Sequence, residues 1–199
     1  MGLTPVAPGE VATVVTSLEM RKRPTPAPMM AVPLSLVPWK QPSPAKYRAL
    51  FERVGAPWLW FSRLIMDEGQ LLDIIHDDAV SIWAVCDRAG IEVGILELDF
   101  REAGQCEIGF FGLVPELGGK GYGRWLMAQA MAAAWRPGVE RVWVHTCTLD
   151  GPSAIGFYIR SGFVPFARAV EVFPDPRLNG ILPREAAPQI PLLAADSAR

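Results

Sequence analysis

One short stretch of this chain has residue types and spacing suited to chemistry on an anion: Gly119-Lys120-Gly121-Tyr122-Gly123. Glycines at alternate positions let backbone N–H groups turn inward, because only glycine accepts left-handed conformations without strain. Before the turn runs Cys106-Glu107-Ile108-Gly109-Phe110-Phe111-Gly112-Leu113-Val114-Pro115, which reads as a strand stopped by proline. After it runs Arg124 to Trp135, rich in good helix formers and closed by Pro137-Gly138. A strand, a glycine turn and a helix start bring unpaired donors and the positive end of a helix dipole to one point. Such a point holds a phosphorylated group.

By itself the turn leaves the group open. A P-loop needs Gly-Lys followed by Ser or Thr to hold magnesium, and Gly121 stands in that place. A dinucleotide fingerprint needs GxGxxG, whereas Gly119, Gly121 and Gly123 give GxGxG. GxGxG after a strand also suits a methyl-donor pocket. No His, Cys or Asp cluster has the spacing of a metal site, so no metal is expected. Cys86, Cys106 and Cys147 fall inside expected strands and read as reduced core thiols.

The elements that must position this turn follow from periodicity and proline. Of nineteen prolines, fourteen lie in residues 1–44 or 174–199, which sets a compact body at about 45–173. Val11 to Met20 is β-branched and adds a strand to that body. The Pro-rich connection 24–44 is expected to run extended over the surface. Ser43-Pro44-Ala45 opens a helix through Arg53, and Asp67 caps a second reaching His76. Val80–Cys86 and Ile91–Phe100 form a hairpin around Asp87-Arg88-Ala89-Gly90. Then come strand 105–114, helix 124–135, strand 141–148, helix 153–160 and strand 163–173. Hairpins first and a βαβ-like unit later predict an α/β (mixed α+β) fold, a central twisted mixed sheet of about six to seven strands with helices on both faces. Residues 1–173 then form one domain, and 174–199 a Pro-rich tail whose order the sequence does not decide.

Leu113-x-Pro115, followed by Gly119-Lys120-Gly121-Tyr122-Gly123 and Leu126, resembles the coenzyme A pyrophosphate motif of the GNAT superfamily of N-acetyltransferases. Asp150-Gly151-Pro152-Ser153-Ala154-Ile155-Gly156-Phe157-Tyr158 with Gly162-Phe163 resembles the superfamily's second motif, in the expected order and spacing. The resemblance covers at least residues 80–170. It implies acetyl-CoA as cosubstrate and a strand splayed from its neighbour so that backbone groups take the pantetheine arm. That wedge would lie beside Phe111, Leu113 and Val114, facing strand 141–148. The pyrophosphate would rest on amides from Gly118 or Gly119 through Tyr122, Gly123 and Arg124, with charge added by Lys120 and Arg124. Two departures stand out: Gly118 replaces the usual Gln or Arg, and Gly151 the usual Asn. Asp150 is expected to cap the following helix or to touch the cofactor.

Acetyl transfer to an amine needs a base for the ammonium, polarisation of the thioester and an acid for the thiolate. The resemblance assigns the acid to Tyr158 and the base to Glu107, whose apolar neighbours would raise its pKa. Glu97, Asp99 and His145 are second choices for the base. Trp58, Trp60 and Phe61 form either an acceptor wall or core filler for two short helices, and Arg63 is expected on the surface. The net charge of −2 and pI near 5.7 give no basic face for nucleic acid. The start lacks a basic n-region and the apolar run 29–37 is too short to span a bilayer, so a cytoplasmic enzyme without a membrane partner is expected. The acceptor is a small-molecule or peptide amine, and a homodimer is left open. Two rivals remain: a non-catalytic acyl-CoA-binding module and an S-adenosylmethionine-dependent methyltransferase.

Overall fold

In the computed structural model, residues 2–26 and 30–194 are described. Met1, residues 27–29 of the Pro-rich connection and the last five residues of the expected tail lie outside that set. Among the described residues seven strands form one sheet: β1 (Glu10–Met20), β2 (Ser35–Trp39), β3 (Val80–Cys86), β4 (Glu92–Asp99), β5 (Gln105–Leu113), β6 (Arg141–Cys147) and β7 (Val164–Pro174). Four helices, α1 (Pro44–Gly55), α2 (Glu68–Ile75), α3 (Tyr122–Ala134) and α4 (Ala154–Arg160), cover it. The order across the sheet is β2-β3-β4-β5-β6-β1-β7, antiparallel except for β5 against β6.

Local chemistry sets the helix ends. Ser43 accepts a bond from the Lys46 amide at 3.3 Å and Pro44 begins α1, where a missing N–H costs nothing. Asp67 and Gln70 satisfy each other's backbone as a reciprocal capping box at α2. Apolar residues of α1 and α2, among them Tyr47, Phe51, Val54 and Leu71, pack with Ile82, Ala84 and Ile95 on one sheet face. Trp125, Leu126, Ala130 and Met131 of α3, with Tyr158 and Phe163, pack on the other face against Leu96, Leu98, Ile108 and Val142.

Two features position the site. Glu97 pairs with Phe110 while Leu98 pairs with Ile108, so Gly109 is an extra residue in β5. This bulge flips the alternation: Ile108 packs in the α3 core, whereas Phe110 packs beside Phe51 and Trp60 under α1. Beside the bulge the sheet opens. β5 and β6 pair only at Gln105–Arg141, Cys106–Val142 and Glu107–Trp143, after which they diverge.

Three parts of the layout go beyond what the sequence indicates. Ser35–Trp39, expected as surface connection, pairs with β3 as an edge strand, and Pro38 is tolerated there because an edge leaves one side unpaired. The N-terminal strand lies between β6 and β7 rather than beside its chain neighbours. The segment after β7 is ordered against the body: Leu182 and Ala187 are buried with Val11, Leu59 and Phe173.

Candidate functional site

The carboxyl ends of the parallel pair β5 and β6 face a cleft of about 1510 Å³. Open sheets place ligands at such ends, where strands part and helix N-termini begin. At one end stands the glycine turn. Gly119 and Gly121 have φ of +72° and +80°, and Gly121 is the N-cap of α3. Among the described residues no acceptor meets the amides of 119–123. α3 starts two residues earlier than expected, within the turn, and residues 119–123 line the cleft. The Gly118 amide is different: it donates to the Pro115 carbonyl at 2.8 Å in a short 3-10 turn. The Arg124 amide likewise bonds the Gly121 carbonyl at 3.1 Å, while its guanidinium folds back to 3.3 Å from where a Cβ on Gly121 would sit. Of the expected phosphate ligands, Gly119 to Gly123 keep free donors, Lys120 is exposed beside them, and Gly118 and the Arg124 amide are already engaged.

Along the wedge, Phe111 and Leu113 turn toward the α3 core and Val114 toward the α1 side. Tyr158 lines the cleft, its ring set against Phe111, Phe157 and Phe163. Burial, with Asp150 nearby, pushes its phenol well above the usual range, so it keeps its proton at any working pH.

On the opposite face, where the sheet opens, Glu107 meets His145: Oε1 lies 3.3 Å from Nδ1. The expected apolar pocket around Glu107 is replaced by this partner. The hydrogen bond that the His145 ring donates to the Glu107 carboxylate outweighs the opposing desolvation and raises the histidine's pKa above its ordinary value. The second-choice acids are committed elsewhere. Glu97 is fully buried, receives the Arg63 guanidinium at 2.7 Å and accepts the Tyr47 hydroxyl at 2.5 Å. Asp99 is held by Arg101 at 2.5 Å. Arg63, expected on the surface, is thus a nearly buried ion-pair partner, because a glutamate in the middle of an apolar strand demands one. Sequence reasoning missed this Tyr47–Glu97–Arg63 group. The lone Glu97 within Ile95-Leu96-Glu97-Leu98 was its only signal.

Trp58, Trp60 and Phe61 all line the cleft, and Trp60 and Phe61 also pack against the core. Trp60 packs against Phe51 and Phe110, Phe61 against Phe173, and Trp58 against Gly151. Asp150 joins the two halves. Its carboxylate accepts Trp60 Nε1 at 3.3 Å, Thr146 Oγ1 at 2.6 Å and the Cys147 amide at 2.9 Å. It does not cap α4, where Ser153 is the N-cap, since its oxygens are drawn back to the end of β6. Among the described residues no group of three or more His, Cys, Asp or Glu is placed to hold a metal ion.

The fold and site define a class. The chain belongs to the acetyltransferase (GNAT) family, whose profile matches residues 47–163, more than half its length. It is similar in structure to a GCN5-related N-acetyltransferase from Sphaerobacter thermophilus, with TM-score 0.55 and 19% identity, covering 84% of this chain and 52% of that one. A spermidine N-acetyltransferase from Vibrio cholerae gives TM-score 0.52 and 19% identity, covering 73% and 96%. An aminoglycoside acetyltransferase from an uncultured soil metagenomic sample gives 0.53 and 17%, covering 65% and 88%. At these identities the likeness is one of fold. The chain spans 63% and 52% of the lengths of two of the solved chains it matches. No curated protein matches it.

Proposed function

We propose that this protein is an N-acetyltransferase that carries an acetyl group from acetyl-CoA to a primary amine by direct attack in a ternary complex. The observation that carries the proposal is the parting of β5 and β6 beyond Glu107, with free donors at one end and a carboxylate–imidazole pair at the fork. These residues fit acetyl-CoA: the amides of 119–123 suit a pyrophosphate, and the unpaired edge of β5 suits an amide-bearing arm. When bound, acetyl-CoA supplies an activated thioester.

The chain's own residues supply the rest. Glu107, oriented by His145, accepts the proton of the incoming ammonium. Tyr158, kept protonated by burial on the other face, donates to the departing sulfur. The gap between β5 and β6 connects these two faces, so acid and base act on one passage without sharing a face. Trp58, Trp60 and Phe61 line the acceptor side, and Asp150 fixes Trp60 to β6. Lys120 and Arg124 add positive charge near the phosphates.

The acceptor in this reading is a small amine. The structural relatives named for spermidine and aminoglycosides support it, as does a net charge of −2, which offers nothing to nucleic acid. A cytoplasmic location belongs to the same reading, which leaves a homodimer open. No helix among the described residues is long and apolar enough to cross a membrane. Methyl transfer has no support in the topology, since one strand pair in seven strands is parallel.

Release of free CoA, followed with a thiol reagent across polyamines, aminoglycosides, amino acids and peptide amines, tests the proposal. Turnover with at least one amine is expected. Acetyl-CoA binding without release for any of them would leave an acyl-CoA-binding module instead.

A further inference from the structure

The segment after β7 makes more bonds than a trailing tail requires. Arg177 is almost fully buried, with its side chain 2% exposed. Its guanidinium takes Asp175 through two bonds, at 2.9 Å and 2.7 Å, and also reaches the carbonyls of Ala186, Ala187 and Ile190 at 3.1, 3.3 and 2.9 Å. One planar fork thus closes the segment 177–190 onto itself, a role that lysine's single ammonium cannot fill. The closed loop presents Leu182 and Ala187 to Val11, Leu59 and Phe173, and Ala186, Ile190, Phe61 and Leu64 all pack against that cluster. Gln189 adds a direct tie, donating to the Pro57 carbonyl at 2.7 Å.

These contacts fall on the back of one part of the cleft. Leu59, Phe61 and Phe173 line it from the front, and Trp58 and Trp60 are their chain neighbours. The wall sits on a strained support: Leu59 has φ of +57°, in a region that costs a branched side chain energy and persists only when neighbours hold it. Between the short 3-10 turn at 56–58 and α2 there is no regular element to supply that hold. The glycine turn, by contrast, is built on β5 and α3.

We propose that Arg177 is a positioning residue for the acceptor wall: by folding residues 175–190 into a plug it fixes the 57–61 segment, so the C-terminal segment sets affinity for the amine and not for the coenzyme. The inference rests on the acetyltransferase reading for its consequence in catalysis, while its structural half stands without it. The plug lies within the cleft's supporting shell, and substrate specificity therefore depends on residues outside the family-matched span 47–163.

The test uses the full chain with Arg177→Lys, which keeps the charge and loses the fork, and Gln189→Ala, which removes the tie and leaves the plug's core intact. Hydrogen exchange by mass spectrometry is read at 56–65 and at 119–130. Both variants are expected to exchange faster at 56–65, by at least fivefold for Arg177→Lys and less for Gln189→Ala, with 119–130 unchanged. In turnover, KM for the amine rises at least fivefold in Arg177→Lys while kcat and the KM for acetyl-CoA stay within twofold. Unchanged exchange at 56–65 in both variants overturns the inference, whether or not the protein turns over. Equal losses in amine and coenzyme KM overturn it too, since a general loss of structure would produce that pattern. If Arg177→Lys does not fold, Gln189→Ala carries both readouts. A wild-type chain that releases no CoA with any amine defeats the acetyltransferase reading and the catalytic half of this one, and the exchange result still decides whether the plug holds the wall.

Discussion

Glu107 stands at the last paired rung of β5 and β6, opposite Trp143, and meets His145 two residues further along β6. Because the carboxylate favours imidazolium, His145 holds its proton above its ordinary range. The stabilisation from this pair is complete below the unfolded histidine value and fades as pH rises through the raised one. Glu107→Gln removes the cause, so the His145 ring, followed by NMR, should titrate at lower pH than in the wild type. The same variant should lower kcat/KM by about 10²–10⁴-fold, and retention of full activity across the pH range would remove Glu107 as the base. Tyr158→Phe should reduce kcat with little change in acetyl-CoA affinity, because the ring packing against Phe111, Phe157 and Phe163 survives. Comparison of single-turnover rates with equilibrium binding separates the two effects.

Among the elements, the glycine turn depends on backbone conformation more than on side chains. Gly121 at φ +80° starts α3, and Gly121→Ala places a Cβ in the left-handed region at a cost of about 1–2 kcal/mol. Acetyl-CoA should bind roughly 5- to 30-fold more weakly by calorimetry, and unaltered affinity would show that the turn does not hold the pyrophosphate. The segment after β7 carries its own pH signature. Burial works against ionisation of Asp175, but the bonds from Arg177 outweigh it and hold the carboxyl below the usual range. Its contribution is therefore present above the unfolded carboxylate value and lost as pH falls through the depressed one. Limited proteolysis at 176–190 should accelerate only in acid. Asp175→Asn should be cut faster already at neutral pH, with a flatter acid response.

Seen whole, the molecule is a mixed sheet clad on both faces and opened at a single seam. Acetyl-CoA at about 100 times its Kd should stabilise it by about 2.7 kcal/mol, worth about 5–10 °C in Tm at this size. S-adenosylmethionine should give none, and the reverse result would overturn the assignment. Much of this architecture is legible in the chain. Periodicity and caps place α1, α2, the β3–β4 hairpin and the β5–turn–α3 unit within a residue or two, because each is set by local spacing and by Ser43, Asp67 and the glycines. β2 is hidden by its prolines, since only an edge position, a property of the whole sheet, makes Pro38 acceptable. The insertion of β1 between β6 and β7 is likewise invisible, because pairing partners 120 or more residues apart leave no local pattern.

The candidate site divides in the same way. The amino-acid sequence alone determines the glycine turn, its place between strand and helix, and hence a phosphate-binding helix start, because glycine's freedom and the helix's unpaired donors are local physics. It also marks Glu107 and Tyr158 as the residues to examine. Only the tertiary structure gives Glu107 a histidine, commits Glu97 to Arg63 and Tyr47, and draws Asp150 away from α4 to Trp60 and the end of β6. It alone folds the segment after β7 around Arg177 behind the acceptor wall. A side chain's charge state and role follow from what packs against it, and those neighbours come from distant parts of the chain.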